Sequence, residues 1–305
     1  MDSSRLDKAI EKIRGDHLSG AQVLSRRCAE VLNEFVPSAD FSSIASLLSQ
    51  LEEVGRRLIA AQPSMAPIYN LVEGALQEVR RTRELREAKA ALKKYLSAYL
   101  EGDSQKQSKI NLELLSLVND GDLILTYSYS STVLKGLIYL KEKGKSFSVL
   151  TPESRPQQEG VRLARALTQA GMKVTLMVDS AVCHFLPQVN LIIIGADSIT
   201  PHGVVNKIGS YPLAILARRW RIPFYVVCFS EKLVLHSLDY RPIISLQDPR
   251  EIVSEPLPGV EVKNIYFDFT PLELITKVIT DRGVFTGEDL LRLSDKEIKG
   301  NEKRR

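Results

Sequence analysis

Hydrophobic positions along the chain change period near residue 118. Before it they follow helical spacing. Phe41, Ile44, Leu48, Leu51, Val54 and Leu58 recur every three or four residues and predict one apolar helix face. Gln62-Pro63-Ser64 and then Pro67 interrupt the pattern. From Ile68 to Leu100, the positions Leu71, Leu76, Val79, Leu85, Leu92, Leu96 and Leu100 predict a further long helical segment. Arg80, Arg81, Arg83 and Arg86 fall within it. Glu78, Glu84 and Glu87 interleave with them, so this run reads as the wet face of a helix rather than a nucleic-acid patch. The polar stretch Glu101 to Gln105 carries a helix stop. It divides a helical domain, residues 1–110, from a second domain, residues 111–305.

In the second part, short apolar runs alternate with helical segments. Strands are predicted at Asp122 to Thr126, Ser146 to Leu150, Lys173 to Val178, Leu191 to Ile194, Pro223 to Cys228 and, more weakly, Asn264 to Phe267. Helices are predicted at Thr132 to Lys141, Gly160 to Ala170, Ala181 to Phe185, Ile208 to Trp220 and Leu272 to Thr280. Regular β-α alternation implies a Rossmann-like, doubly wound, mostly parallel sheet with helices on both faces. The charged end, Asp295 to Arg305, is expected to fray.

Ligands of such sheets gather at the carboxyl ends of the strands. The run Leu191-Ile192-Ile193-Ile194 ends abruptly at Gly195-Ala196-Asp197, which places the Asp197 carboxylate there. Lys207 is expected at the start of the next helix. A strand-end carboxylate facing that ammonium can handle a proton and hold a phosphate; a capped turn and a surface lysine fit the same spacing. After the first strand the chain reads Thr126-Tyr127-Ser128-Tyr129-Ser130-Ser131-Thr132. Ser130, Ser131 and Thr132 at a helix start suit a phosphate oxyanion or serve as an N-cap. There is no Gly-x-Gly-x-x-Gly, no Walker-type loop and no Gly-x-Ser-x-Gly elbow.

Composition narrows the picture little. The chain of 305 residues has a net charge of +4, too even to argue for nucleic acid. No apolar run approaches the roughly 18 residues that span a bilayer, and the start of the chain lacks a secretory h-region. Cys28, Cys183 and Cys228 form no disulfide or metal pattern, and His17, His184, His202 and His236 are scattered. A cytoplasmic protein with neither metal nor cofactor is expected.

Taken together, several motifs resemble a known family. They are Thr126 to Ser130, Glu153-Ser154-Arg155-Pro156 with Gly160, Asp179-Ser180-Ala181, Gly195 to Ile199, Asn206-Lys207-Ile208-Gly209, Pro223 to Val226 and Phe267 to Pro271. That family unites the alpha, beta and delta regulatory subunits of eukaryotic translation initiation factor 2B with methylthioribose-1-phosphate isomerase and ribose-1,5-bisphosphate isomerase. The agreement spans about residues 120–285, with a looser match at Ile13-Arg14-Gly15 and Pro63-Ser64.

The resemblance implies site residues. In the isomerases a cysteine is the base and the aspartate of Gly-Ala-Asp its partner. Here Asp197 is kept and Ser128 falls where the cysteine stands. Asn206 and Lys207 match a substrate-contacting pair, Lys232 a substrate-binding lysine, and Arg14 with Gly15 a phosphate loop whose third residue is Asp16 here. Gln62 replaces an arginine, and Glu159 replaces a glutamine, as in the beta and delta subunits. A thiol titrates near ~8.5, within reach of neutral pH, whereas a serine hydroxyl needs a neighbouring base. The leading expectation is therefore a 2B-like protein that binds a sugar phosphate or nucleotide monophosphate without cysteine chemistry. A pentose 1-phosphate aldose–ketose isomerase and a translation-factor scaffold with a vestigial site are the alternatives. The resemblance also implies a homo-oligomer formed through the sheet domain, with a translation factor as a further partner. Neither a membrane nor a nucleic acid is expected as partner.

Overall fold

The computed structural model describes residues 3–235 and 240–302, so His236 and residues 303–305 lie outside the described residues. The chain divides into two compact units, Met1–Gln105 and Lys106–Arg305.

Unit 1 is helical: α1 (Ser3–Arg14), α2 (Ala21–Ser38), α3 (Ile44–Ala61), α4 (Ala66–Arg80) and α5 (Leu85–Glu101). Ser43 caps α3 by accepting from Ser46 N–H at 3.1 Å. The helix buries Leu47, Leu51, Val54 and Leu58, and Leu48 lies at the edge of that face. The long segment predicted over Ile68 to Leu100 is two helices. The Thr82 hydroxyl donates to the Val79 carbonyl at 2.7 Å, which stops α4 and lets α5 turn back to bury Ala88, Leu92 and Leu96. Arg80 pairs with Glu52 at 2.8 Å and Arg81 with Glu78 at 2.9 Å, in keeping with a solvated, charge-paired face.

Unit 2 opens within α6 (Asp103–Leu117). There follow β1 (Leu123–Leu125), α7 (Ser131–Glu142), β2 (Ser148–Pro152), α8 (Glu159–Gln169), β3 (Lys173–Met177) and α9 (Val182–Phe185). Next come β4 (Leu191–Ile194), β5 (Ser198–Thr200), β6 (Gly203–Lys207), α10 (Ser210–Trp220) and β7 (Phe224–Val227). The chain closes with β8 (Phe267–Pro271), β9 (Lys277–Thr280), β10 (Gly283–Phe285) and α11 (Gly287–Glu302). The main sheet runs β10-β9-β7-β4-β1-β2-β3, parallel except for β10. Ile192 and Ile194 face the side that carries Leu213 and Ala217 of α10. Leu191 and Ile193 face the side that carries Ile110, Leu137 and Leu163 of α6, α7 and α8. With both faces covered, β4 is wholly buried, and each of its isoleucines contributes roughly 1.5–3 kcal/mol.

The structure corrects five local expectations. Lys207 ends β6 instead of opening a helix; α10 starts at Ser210. β5, β6 and β8 form a separate antiparallel sheet, with Asn206 opposite Asp268 and Lys207 opposite Phe267. The weak strand expected at Asn264 to Phe267 is displaced into β8, where it pairs with β6. The helix expected at Leu272 to Thr280 is a single short turn followed by β9, because Val278 and Ile279 fill the space between β7 and β10. At the end of the chain, where fraying is expected over Asp295 to Arg305, α11 continues as far as Glu302, and residues 303–305 lie outside the described residues. No helix among the described residues is long and apolar enough to cross a membrane.

Candidate functional site

The order of strands reverses between β1 and β4, and at such a switch point the loops leaving two neighbouring strands part and open a crevice. Those loops are Thr126–Ser130 and Gly195–Asp197. They touch: a Cβ on Gly195 would lie 2.7 Å from the Ser130 Cβ, so only glycine lets the loops come this close. Ser130 caps α7, accepting from Val133 N–H at 3.3 Å. Ser130 and Ser131 are half-buried, whereas Thr132 is buried behind them.

Ser128 sits in the left-handed region at φ 65°. Its N–H donates to the Ser154 hydroxyl at 2.9 Å. Ser154, also left-handed at φ 62°, donates its own N–H to Asp179 at 2.7 Å, and Arg155 N–H donates to the other Asp179 oxygen at 2.8 Å. Thus one carboxylate after β3 pins the loop after β2, which in turn holds Ser128. Asp179 also takes part in a hydrogen bond with the Tyr127 hydroxyl. The Tyr127 pKa is pushed up, first by burial and then by the charges of Asp179, Asp268 and Glu159, so the hydroxyl keeps its proton.

Four charged groups share the end of the sheet. Lys207 and Glu159, the first residue of α8, are both nearly inaccessible and pair at 2.5 Å. The Lys207 ammonium lies 4.7 Å from the centre of the Tyr266 ring and 5.8 Å from that of Phe267. Lys232, in the turn after β7, is buried and donates to the Ala196 carbonyl. Asp197 keeps part of its surface open to solvent, and its N–H is held by the Val205 carbonyl at 2.8 Å. Desolvation raises the Asp197 pKa; Lys232 and Lys207 oppose the rise, and Glu159 adds to it. The carboxyl therefore binds a proton more readily than an exposed aspartate does.

Asn206 makes one side-chain bond inside the turn. Its Nδ2 donates to the Ser210 hydroxyl at 3.0 Å, and that hydroxyl donates to the Lys207 carbonyl at 2.7 Å. It therefore secures the turn that presents Lys207. Across that turn Asp268 accepts from Gly209 and Tyr211.

Arg14 and Gly15 belong to unit 1. Arg14 pairs with Glu11, and Gly15 N–H donates to the Glu11 carbonyl at 2.9 Å, ending α1. Asp16 accepts from Leu18 and Ser19 N–H and from Arg27. Burial alone would raise its pKa, but the bonds from Ser19, Arg27 and Leu18 outweigh burial and hold it at about 2. The Gln62 side chain donates to the Ile13 carbonyl at 2.8 Å.

The sequence alone assigns no role to Tyr127, Asp179, Tyr266 or Asp268. Tyr127, Asp179 and Asp268 lie inside the motifs Thr126 to Ser130, Asp179 to Ala181 and Phe267 to Pro271, but their spacing predicts no scaffold. Among the described residues no cluster of His, Cys, Asp and Glu could hold a metal ion.

A family model described as the initiation factor 2 subunit family matches residues 17–287. The chain is 31% identical to a ribose 1,5-bisphosphate isomerase of Archaeoglobus fulgidus, over 92% of this chain and 90% of that one. It is 32% identical to a methylthioribose-1-phosphate isomerase of Exiguobacterium sibiricum, over 93% of this chain and 87% of that one. Among solved structures it resembles the translation initiation factor eIF-2B of Pyrococcus horikoshii OT3, with a TM-score of 0.79 at 28% identity. That match covers 93% of this chain and 97% of the other.

Proposed function

Because the chain belongs to the initiation factor 2 subunit family, we propose that its sheet unit binds a phosphorylated pentose and interconverts an aldose 1-phosphate with the corresponding ketose 1-phosphate. The observation that carries this reading is Asp197: a carboxyl of raised proton affinity, set between two buried lysines at the switch point of the sheet. The phosphate rests at the start of α7, on Ser130 and Ser131.

The chemistry balances with one proton carrier. Protonated Asp197 gives its proton to the ring oxygen as the bond from that oxygen to C1 breaks. The carboxylate takes the proton from C2, leaving an enol, and returns it to C1. Loss of the C2 hydroxyl proton to Asp197 forms the ketone and restores the acid. Lys207 and Lys232 keep the carboxylate form accessible, and the Ser128 hydroxyl hydrogen-bonds the sugar without ionising.

A pentose-phosphate assay tests it. Turnover of ribose 1,5-bisphosphate or methylthioribose 1-phosphate should vanish in Asp197→Asn while the melting temperature stays put. Absence of turnover across a panel of pentose 1-phosphates would sink the catalytic reading.

Ser128 favours a second reading, in which the same frame holds a sugar phosphate or nucleotide monophosphate without turning it over. Saturable binding with no turnover would select it. In either reading we expect more than one copy of the chain to associate, since α10 exposes Tyr211, Ile215 and Trp220 on its outer side. A monomer by light scattering at micromolar concentration would remove that expectation.

A further inference from the structure

Glu159 is a buried carboxylate with one oxygen engaged and one idle. Its Oε1 faces the Lys207 ammonium at 2.5 Å, and its Oε2 is buried without a donor. The residue as a whole is 8% exposed and Lys207 4%. A buried acceptor left without a donor is costly, so an idle oxygen at a ligand site marks where the ligand must bring an O–H or N–H.

The far side of Lys207 is closed as well. The Tyr266 ring lies against the ammonium, and its hydroxyl donates to Glu251 at 2.5 Å while Gln157 donates to that hydroxyl at 2.8 Å. Lys207 is thus held between a carboxylate and an anchored aromatic ring, its charge already matched. A phosphate dianion arriving there would meet the Glu159 carboxylate before it gained the lysine, and like charges at a desolvated site are strongly disfavoured. A sugar hydroxyl would satisfy Oε2 and disturb nothing.

We propose that Glu159 determines specificity: by holding Lys207 and presenting Oε2 as an acceptor, it makes the site select a pentose monophosphate, with a hydroxyl at the Glu159 end, and reject a second phosphate. This rests on the reading that the sheet unit binds a phosphorylated pentose, and it narrows that ligand class to one phosphate. The phosphate goes to the start of α7, and the neutral part of the sugar lies toward α8.

The test compares dissociation constants of the full chain for ribose 1-phosphate and ribose 1,5-bisphosphate by equilibrium dialysis. Wild type should hold the monophosphate at least as tightly as the bisphosphate. Glu159→Gln keeps the shape, frees the lysine and adds a donor, so the ratio should move toward the bisphosphate by roughly tenfold. Adding Lys207→Met to Glu159→Gln should cancel that gain. An unchanged ratio in a folded Glu159→Gln that binds both ligands would overturn this proposal and leave pentose-phosphate binding standing. A wild-type preference for the bisphosphate would also overturn it, whether or not the variant folds. If folded wild type binds neither ligand, the underlying reading fails and takes this one with it.

Discussion

Asp268, on β8, accepts from the N–H groups of Gly209 and Tyr211 at 2.8 and 3.0 Å, so a side chain from the small antiparallel sheet closes the N-terminus of α10. The turn that presents Lys207 is therefore clamped from two sides, by Asp268 from outside and by Asn206 through Ser210 from within.

Burial raises the Asp268 pKa to about 6, although the N–H groups of Tyr211, Gly209 and Ser210 pull it down. The folded value exceeds the unfolded one, so this group's contribution is full below about pH 4 and is lost as pH rises through about 6. Thermal melts at pH 4 to 7 should show wild type losing up to about 2 kcal/mol relative to Asp268→Asn as pH rises. Parallel pH profiles for the two proteins would refute the assignment.

In unit 1 the sign is opposite. Asp16 is held at about 2 by Ser19, Arg27 and Leu18, below its unfolded value. The stability it lends is present above about pH 4 and lost as pH falls toward 2. Arg27→Ala should cost about 1 kcal/mol at pH 7, screened as the pair is by solvent, and nearly nothing at pH 2. Chemical denaturation at both pH values checks this.

Gly209 has φ 103°, and a Cβ there would come within 2.3 Å of the Tyr127 hydroxyl. Gly209→Ala should destabilise by about 2 kcal/mol or more, from backbone strain and overlap together. Tyr127→Phe in the same chain should recover only the hydroxyl's share of the overlap, because the ring carbon Cζ stays 2.8 Å from the added Cβ. Full recovery in the double variant, by urea denaturation, would show that the backbone carries no strain.

The family resemblance implies that Ser128 falls where the isomerases carry their cysteine, and its backbone is fixed by Ser154 and Asp179. If Asp197 alone moves the proton, Ser128→Cys supplies a second group that titrates within reach of neutral pH. Turnover of a pentose 1-phosphate should rise by at least roughly tenfold, as a positioned base provides. The gain should disappear on thiol alkylation. A cysteine variant that binds substrate yet shows no gain would place Ser128 away from the reacting carbons.

Much of the fold was legible because it rests on local signals. The helical spacing of unit 1 and the run Leu191 to Ile194 ending at Gly195-Ala196-Asp197 state their elements in a few neighbouring residues. Residues 198–207 were harder to read. They make a short hairpin, β5 with β6, whose further partner on the β6 side, β8, lies some sixty residues away in sequence, and pairing at that distance leaves little local trace. Val278 and Ile279 looked helical in spacing, and only the gap between β7 and β10 made them a strand.

The site divides along the same line. By itself the sequence determined which chemical groups the chain carries: the carboxyl of Asp197, the hydroxyls of Ser128, Ser130 and Ser131, the amines of Lys207 and Lys232, and the carboxyl of Glu159. Only the tertiary structure decided which of them are already engaged. Glu159 neutralises Lys207, Asn206 donates to Ser210, and Asp197 is desolvated within the fields of Lys232 and Lys207. Partnership and burial are set by distances between segments remote in sequence, and those distances tune a carboxyl's proton affinity and a lysine's availability.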